Sequence, residues 1–195
     1  MKVRFRLNGE NVQFQVRGAE SLQDLLRRKE YFGTKRGCEN GDCGVCTVLL
    51  DGKPVYSCLM MAGQVEGHDV TTIEGIGDCK DPHPLQRSFV EHGAAQCGFC
   101  IPGMILSAKA LLDAEPDPSR ERIAEAIDGN LCRCTGYVKQ IDAIESAARD
   151  IRDAKLTHGT KLTRGTKLTY GTKLTPDTKP TRSKGIRRAT GGRAR

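Results

Sequence analysis

The side chains in this sequence best suited to chemistry are its nine cysteines. Four of them, Cys38, Cys43, Cys46 and Cys58, have the spacing C-x4-C-x2-C…C, by which four thiolates hold a plant-type [2Fe-2S] cluster. The loop carrying the first three is rich in glycine: Gly37, Gly41 and Gly44 let the backbone wrap closely around an iron pair and aim amide N–H groups at sulfur. A structural zinc site favours paired short chelates. Cys38 and Cys58 stand alone, so the first quartet favours iron and sulfide. Cys97, Cys100, Cys132 and Cys134 form a second quartet from two short chelates, QCGFC and NLCRC. There the spacing leaves a cluster and a zinc ion both open. A Rieske centre is disfavoured, because no C-x-H pair occurs and the histidines lie away from both quartets. Cys79 falls between the quartets and is read as a non-ligand.

Two kinds of element must position these thiols. Val3, Phe5 and Leu7, then Val12, Phe14 and Val16, alternate on either side of Asn8-Gly9, which predicts a hairpin. Ser21 is placed to cap a short helix carrying Leu22, Leu25 and Leu26, and CTVLLDGKPVYSC predicts a second hairpin turning at Asp51-Gly52, with Cys58 on its far side. This is a small α+β domain ending near Gly77. Beyond Asp81 the periodicity turns helical in LQRSFVEH, MILSAKALLDA, SRERIAEAI and VKQIDAIESAARDI, enough for a small bundle. QCGFC opens one of these helices, where the positive end of the helix favours thiolate over thiol, and LCRC follows the end of another, which Gly129 is expected to close. Four helices can bring those two ends together.

Charge separates a third region. Residues 155–195 hold twelve Lys and Arg against one acid, Asp177, while the first 154 residues hold 19 basic and 23 acidic side chains. Basicity is therefore a property of the tail, a hexapeptide repeat (KLTHGT, KLTRGT, KLTYGT, KLTPDT) whose single leucine per repeat cannot offset backbone entropy. The composition predicts disorder there. No apolar run approaches the roughly 18 residues that span a bilayer, and the start MKVRFRLNGENVQFQV shows neither an apolar export core nor a twin-arginine pair, which points to the cytoplasm, where thiols stay reduced. His68, His83, His92 and His158 lack ligand spacing and are read as surface or cap residues. Met60 and Met61 are read as core filler, with shielding of the cluster by one of them as the alternative, Asp42 either as a solvated loop carboxylate or as a group that tunes the potential, and Lys35 and Arg36 as offsets to cluster charge. No hydrolase, flavin or nicotinamide motif occurs.

In chain order, the stretches TKRGCENGDCGVCTVLLDG, QCGFCIPGM and NLCRCTGY closely resemble the two-cluster iron–sulfur subunit or domain of the molybdenum hydroxylases, the group of xanthine dehydrogenase, aldehyde oxidoreductase and carbon monoxide dehydrogenase. The resemblance runs from about Val3 to Ile151 and includes every ligand position. It implies a β-grasp ferredoxin domain over residues 1–78, whose Cys38, Cys43, Cys46 and Cys58 bind one [2Fe-2S] cluster. It also implies a four-helix-bundle domain over residues 82–152, whose Cys97, Cys100, Cys132 and Cys134 bind a second. By position, Gln96 and Cys134 would hydrogen-bond a molybdopterin held in a large partner subunit. Electrons would pass from there through the bundle cluster and then the ferredoxin cluster, usually to an FAD-binding medium subunit. Substrate turnover would belong to the partner, so no catalytic residue is expected here. The repeat tail lies outside the resemblance. A free-standing two-cluster ferredoxin is the nearest rival; a zinc-stapled nucleic-acid adaptor using the basic tail is the rival of another class, and nucleic acid is not an expected partner.

Overall fold

Asn8-Gly9 and Asp51-Gly52 turn the chain where the sequence places the turns. All four residues have positive φ, at 53°, 86°, 49° and 79°, the two-residue geometry whose twist matches that of the flanking strands. The computed structural model describes residues 1–159. Around these turns run β1 (Lys2–Leu7) with β2 (Glu10–Gln15), and β3 (Thr47–Leu50) with β4 (Lys53–Tyr56), each pair antiparallel. A short strand, β5 (Asp69–Thr71), joins the two hairpins, parallel to β1 and antiparallel to β3, giving a mixed sheet in the order β2-β1-β5-β3-β4. The sequence pattern missed β5, because three residues carry no readable period and their pairing partners lie far away in the chain.

The buried face of β1, formed by Val3, Phe5 and Leu7, packs with Val48, Val65 and Val70 against Leu22, Leu25 and Leu26 of α1 (Leu22–Arg28). Each of those three leucines is wholly buried, which is worth about 2 kcal/mol apiece. Ser21 caps α1 as expected, its hydroxyl accepting from the Asp24 amide. Four further helices follow: α2 (Pro84–Glu91), α3 (Ile101–Ala114), α4 (Arg120–Ile127) and α5 (Val138–Gly159). They share a second core of Leu85, Phe89, Met104, Ile123, Ile127 and Ile144, into which Ala143, Ala147 and Ala148 of α5 also pack. Ser88 ties α2 to α5 by donating to the Ala143 carbonyl at 2.7 Å.

The fold class is thus α+β, with one sheet and five α-helices among the described residues. α5 extends to Gly159, through the first residues of the hexapeptide repeat. The disorder expected of the rest of the tail falls outside the described residues. Gly129 does not end α4 in the left-handed conformation that a closing glycine usually adopts, since its φ is not among the positive ones. It is small for another reason: a Cβ there would lie 2.1 Å from the Tyr56 hydroxyl.

Candidate metal centres

Cys38, Cys43 and Cys46 lie in the loop entering β3, and Cys58 lies two residues past β4 rather than on the strand itself. Local backbone donors crowd this loop. The amides of Asp42 and Cys43 donate to Cys38 Sγ at 3.2 and 3.3 Å, and the Cys38 amide donates to Cys43 Sγ at 3.4 Å. Gly37 leaves room for this, since a Cβ there would sit 2.7 Å from Cys43 Sγ. Cys38 and Cys43 interact directly, as do Cys46 and Cys58. The amide of Asn40, with those of Cys43 and Asp42, draws the Cys38 thiol down to about 6, whereas burial and then the neighbouring Cys46 push Cys58 up to about 11.

The second quartet is built from two helix ends. Cys100 is the N-cap of α3 and Cys97 lies in the turn before it, while Cys132 and Cys134 occupy the loop between α4 and α5. Cys97 and Cys134 Sγ are 3.5 Å apart, and Cys100 shares a hydrogen bond with Cys132. The helix-start expectation does not account for Cys97, which lies three residues before the α3 N-cap and whose thiol is lowered chiefly by the Phe99 amide. It fails for Cys100, which burial pushes up to about 12. Burial would raise Cys132 as well, but hydrogen bonds from the Thr135 hydroxyl and the Cys134 and Thr135 amides outweigh it and bring the thiol to about 7. Tyr137, held at a φ of 71°, turns its hydroxyl back to accept from the Cys132 amide at 2.8 Å. A tyrosine in the left-handed region is strained, and here the strain fixes a ligand loop.

All-sulfur donor sets, close in pairs and beside amide N–H groups, would suit a [2Fe-2S] cluster, which Cys38, Cys43, Cys46 and Cys58 would hold in one loop region and Cys97, Cys100, Cys132 and Cys134 in the other. Among the described residues no three His, Cys, Asp or Glu side chains converge on one ion position; the sulfurs meet as pairs. The flanking charges are engaged elsewhere. Arg36 pairs with Asp24 and Glu39, and the Asp42 carboxylate accepts from Asn40. His68 pairs with Asp51, and His83 and His92 serve helix ends. Gln96 and Cys134 both lie exposed at the surface.

The comparisons with known proteins bear on the same residues. Residues 5–71 match the model of a 2Fe-2S iron-sulfur cluster binding domain, and residues 72–145 match that of a [2Fe-2S] binding domain. The chain is 49% identical over 148 residues to the nicotinate dehydrogenase small FeS subunit of Eubacterium barkeri, covering 74% of this chain and 93% of that one. This chain belongs to the iron–sulfur subunits of the molybdenum hydroxylases. The aldehyde oxidoreductase of Megalodesulfovibrio gigas is 46% identical over 153 residues, which are 76% of this iron–sulfur subunit but 17% of that longer chain. Among solved structures, quinoline 2-oxidoreductase from Pseudomonas putida 86 superposes with a TM-score of 0.75 at 44% identity, over 78% of this chain and 96% of its counterpart. The two matched domains account for two [2Fe-2S] clusters, one in residues 5–71 and one in residues 72–145, the region where spacing alone left zinc open.

The iron–sulfur subunit also contains a contact that its motifs do not announce. Asn130, 2% exposed, donates through Nδ2 to the Gly44 carbonyl at 2.8 Å and to Thr47 Oγ1 at 3.2 Å, and its Oδ1 accepts from Ser107 at 2.7 Å. Beside it the Leu131 amide donates to the Cys43 carbonyl at 2.9 Å. The loop bearing Cys132 is thereby bound to the loop bearing Cys43 by main-chain contact. Gly44 and Gly103 permit the approach: a Cβ on Gly44 would lie 2.1 Å from the Gly129 oxygen, and one on Gly103 would lie 2.5 Å from the Gly44 oxygen. Asn130 stands in the quoted NLCRC stretch, yet only its burial, visible in three dimensions, distinguishes it from a turn asparagine.

Proposed function

We propose that this chain is the electron-transfer subunit of a molybdopterin-dependent hydroxylase or dehydrogenase, with Cys38, Cys43, Cys46 and Cys58 holding one [2Fe-2S] cluster and Cys97, Cys100, Cys132 and Cys134 the other. The observation that carries this reading is the meeting of eight thiols as four close pairs, Cys38 with Cys43, Cys46 with Cys58, Cys97 with Cys134 and Cys100 with Cys132, on loops that touch through the Cys43 carbonyl and the Leu131 amide. When bound, the clusters supply reversible one-electron chemistry. The residues of the chain hold them, donate N–H groups to their sulfurs and fix the interval between them. For the domain limits of 1–78 for a β-grasp ferredoxin fold and 82–152 for a four-helix bundle, the support is the presence of two cores, with Ile73 and Ile76 of the first segment packing on the helical one.

A large molybdopterin subunit covers the exposed Cys97–Cys134 edge, where Gln96 and Cys134 reach the pterin. Phe99, Leu131 and Val138, 45%, 54% and 58% exposed, offer that partner an apolar rim. An FAD subunit meets the first quartet, where Leu59 is 60% exposed and lies over Gly41. All nine cysteines are free of disulfides, which agrees with a reducing, cytoplasmic setting. No helix among the described residues is long and apolar enough to cross a membrane.

The test is metal and acid-labile sulfide analysis of anaerobically purified protein, with EPR after reduction. About four irons, about four sulfides and two distinct signals are expected, two irons for each cluster. Cys43→Ser should remove one signal and Cys134→Ser the other. Protein containing zinc in place of iron would refute the assignment.

A further inference from the structure

The side chain of Gln140, in the first turn of α5, is fully buried. Its Nε2 lies 3.7 Å from Cys132 Sγ and also donates to Thr135 Oγ1, which in turn stands 3.3 Å from the same sulfur. Its Oε1 is buried with no hydrogen-bond partner among the described residues. A buried amide oxygen left unpaired destabilises a fold, and leucine or methionine of similar size would fill the same space without that cost. The group that justifies a polar side chain here is therefore the donor end.

Hydrogen counting fixes the direction of the network. An anionic sulfur only accepts, so the Thr135 hydroxyl proton goes to Cys132 Sγ and the Thr135 oxygen is left to accept from Gln140. The second N–H of the amide then goes to sulfur as well, joining the Cys134 amide, which donates to it at 3.4 Å. Every donor is used, and all of them serve a negative charge at Cys132. Turned the other way, the amide would set its oxygen against the thiolate.

Resting on the reading of the second quartet as a [2Fe-2S] site, we propose that Gln140 is a positioning residue that raises the reduction potential of that cluster through its N–H bond to the Cys132 sulfur. Reduction adds one electron and moves no atom; the added charge spreads onto the sulfurs, so a donor aimed at sulfur stabilises the reduced form more than the oxidised one. Thr135 is held in line by the same amide, so loss of Gln140 weakens two donors at once.

The test is an EPR-monitored redox titration of the purified holoprotein, full chain with its partners, comparing wild type with Gln140→Leu, the donors of electrons being dithionite and mediators. The reduction equilibrium constant of the second cluster should fall about tenfold, a shift of about 59 mV to lower potential for one electron. The first cluster serves as internal control and stays unchanged, as do iron and sulfide content. Gln140→Met, unbranched and without a donor, should reproduce the shift if the branched side chain impairs assembly. An unchanged potential, or equal shifts in both clusters, overturns the proposal. Loss of the second cluster in both variants also overturns it, because Gln140 would then be needed to build the site rather than to tune it. Wild-type protein with no second signal and half the expected iron would overturn the cluster reading itself, and the iron content separates that failure from the others.

Discussion

Replacing Asn130 by alanine should loosen the junction between the two thiol-bearing loops without unfolding the sheet. Three hydrogen bonds disappear: those to the Gly44 carbonyl, to Thr47 and from Ser107. The Gly44 oxygen is not orphaned, because the Thr47 amide and hydroxyl still donate to it at 3.1 and 2.6 Å. Ser107 can turn its hydroxyl back onto its own helix. At about 1 kcal/mol for each net bond, with part of the loss recovered in this way, the cost is about 2–3 kcal/mol. A local opening made easier by that amount speeds amide exchange about 30- to 140-fold, since about 1.4 kcal/mol is a factor of ten. Hydrogen–deuterium exchange read by mass spectrometry follows a peptide spanning residues 128–135, which contains the Leu131 amide bonded to Cys43, with a peptide of β1 as reference. The expected result is faster exchange in the loop peptide and none in the strand. Unchanged loop exchange, or equal acceleration in both peptides, would refute the idea that Asn130 clamps this junction in particular.

Four other expectations follow from the structure. Gly44→Ala places a Cβ against the Gly129 oxygen and Asn130 Cα at a φ of 69°; it should cost several kcal/mol (roughly 1–3 from overpacking alone) and remove both EPR signals. Gly9→Ala, at a φ of 86° with open space around it, should cost only about 1 kcal/mol and leave both. Glu20 is held below its ordinary value first by its bond to Arg28, which reaches it at 2.7 and 2.8 Å. A depressed carboxyl contributes stability that is complete above about 4.5 and is lost as pH falls through its lower folded value. Glu20→Gln should therefore lower the urea midpoint at neutral pH, by roughly 2 kcal/mol in free energy, and flatten the acid limb. His83 caps α2 by accepting from the Leu85 amide at 3.2 Å, and burial, then Lys109, hold its ring below the usual 6.5. Stability tied to the neutral ring is present above 6.5 and is lost as pH falls through the lower folded value. Circular dichroism melts of His83→Asn should lack that step, and a step that persists would assign it to another group.

Local chemistry made much of the fold readable. Asn8-Gly9 and Asp51-Gly52 encode their hairpins within two residues, and the hydroxyls of Ser21 and Ser119 accept from amides three residues on to start α1 and α4. The short chelates of the thiols were legible because their spacing is local, but the pairing of Cys97 with Cys134 and of Cys100 with Cys132 joins distant stretches of chain and was not. Nor were other contacts made by distant residues. Asn130 and Gly44 are 86 residues apart in the chain, and nothing near either one signals that an amide will be buried on a glycine carbonyl. Gln140 reads as one polar position among several in an amphipathic helix, and only the closing of α5 over Cys132 turns it inward. Gly129 gave a misleading signal, since a glycine after a helix is also the residue that admits a tyrosine hydroxyl from another element.

The hydrogen bond from Leu131 to Cys43 is made by peptide groups and not by side chains, so no rotamer change removes either partner and, among substitutions at residue 131, proline alone takes away the donor. The gap an electron must cross between the two sites is consequently a property of one polypeptide's main chain. The outer faces of the molecule are then free to diverge toward different donors and acceptors without altering the internal conductor.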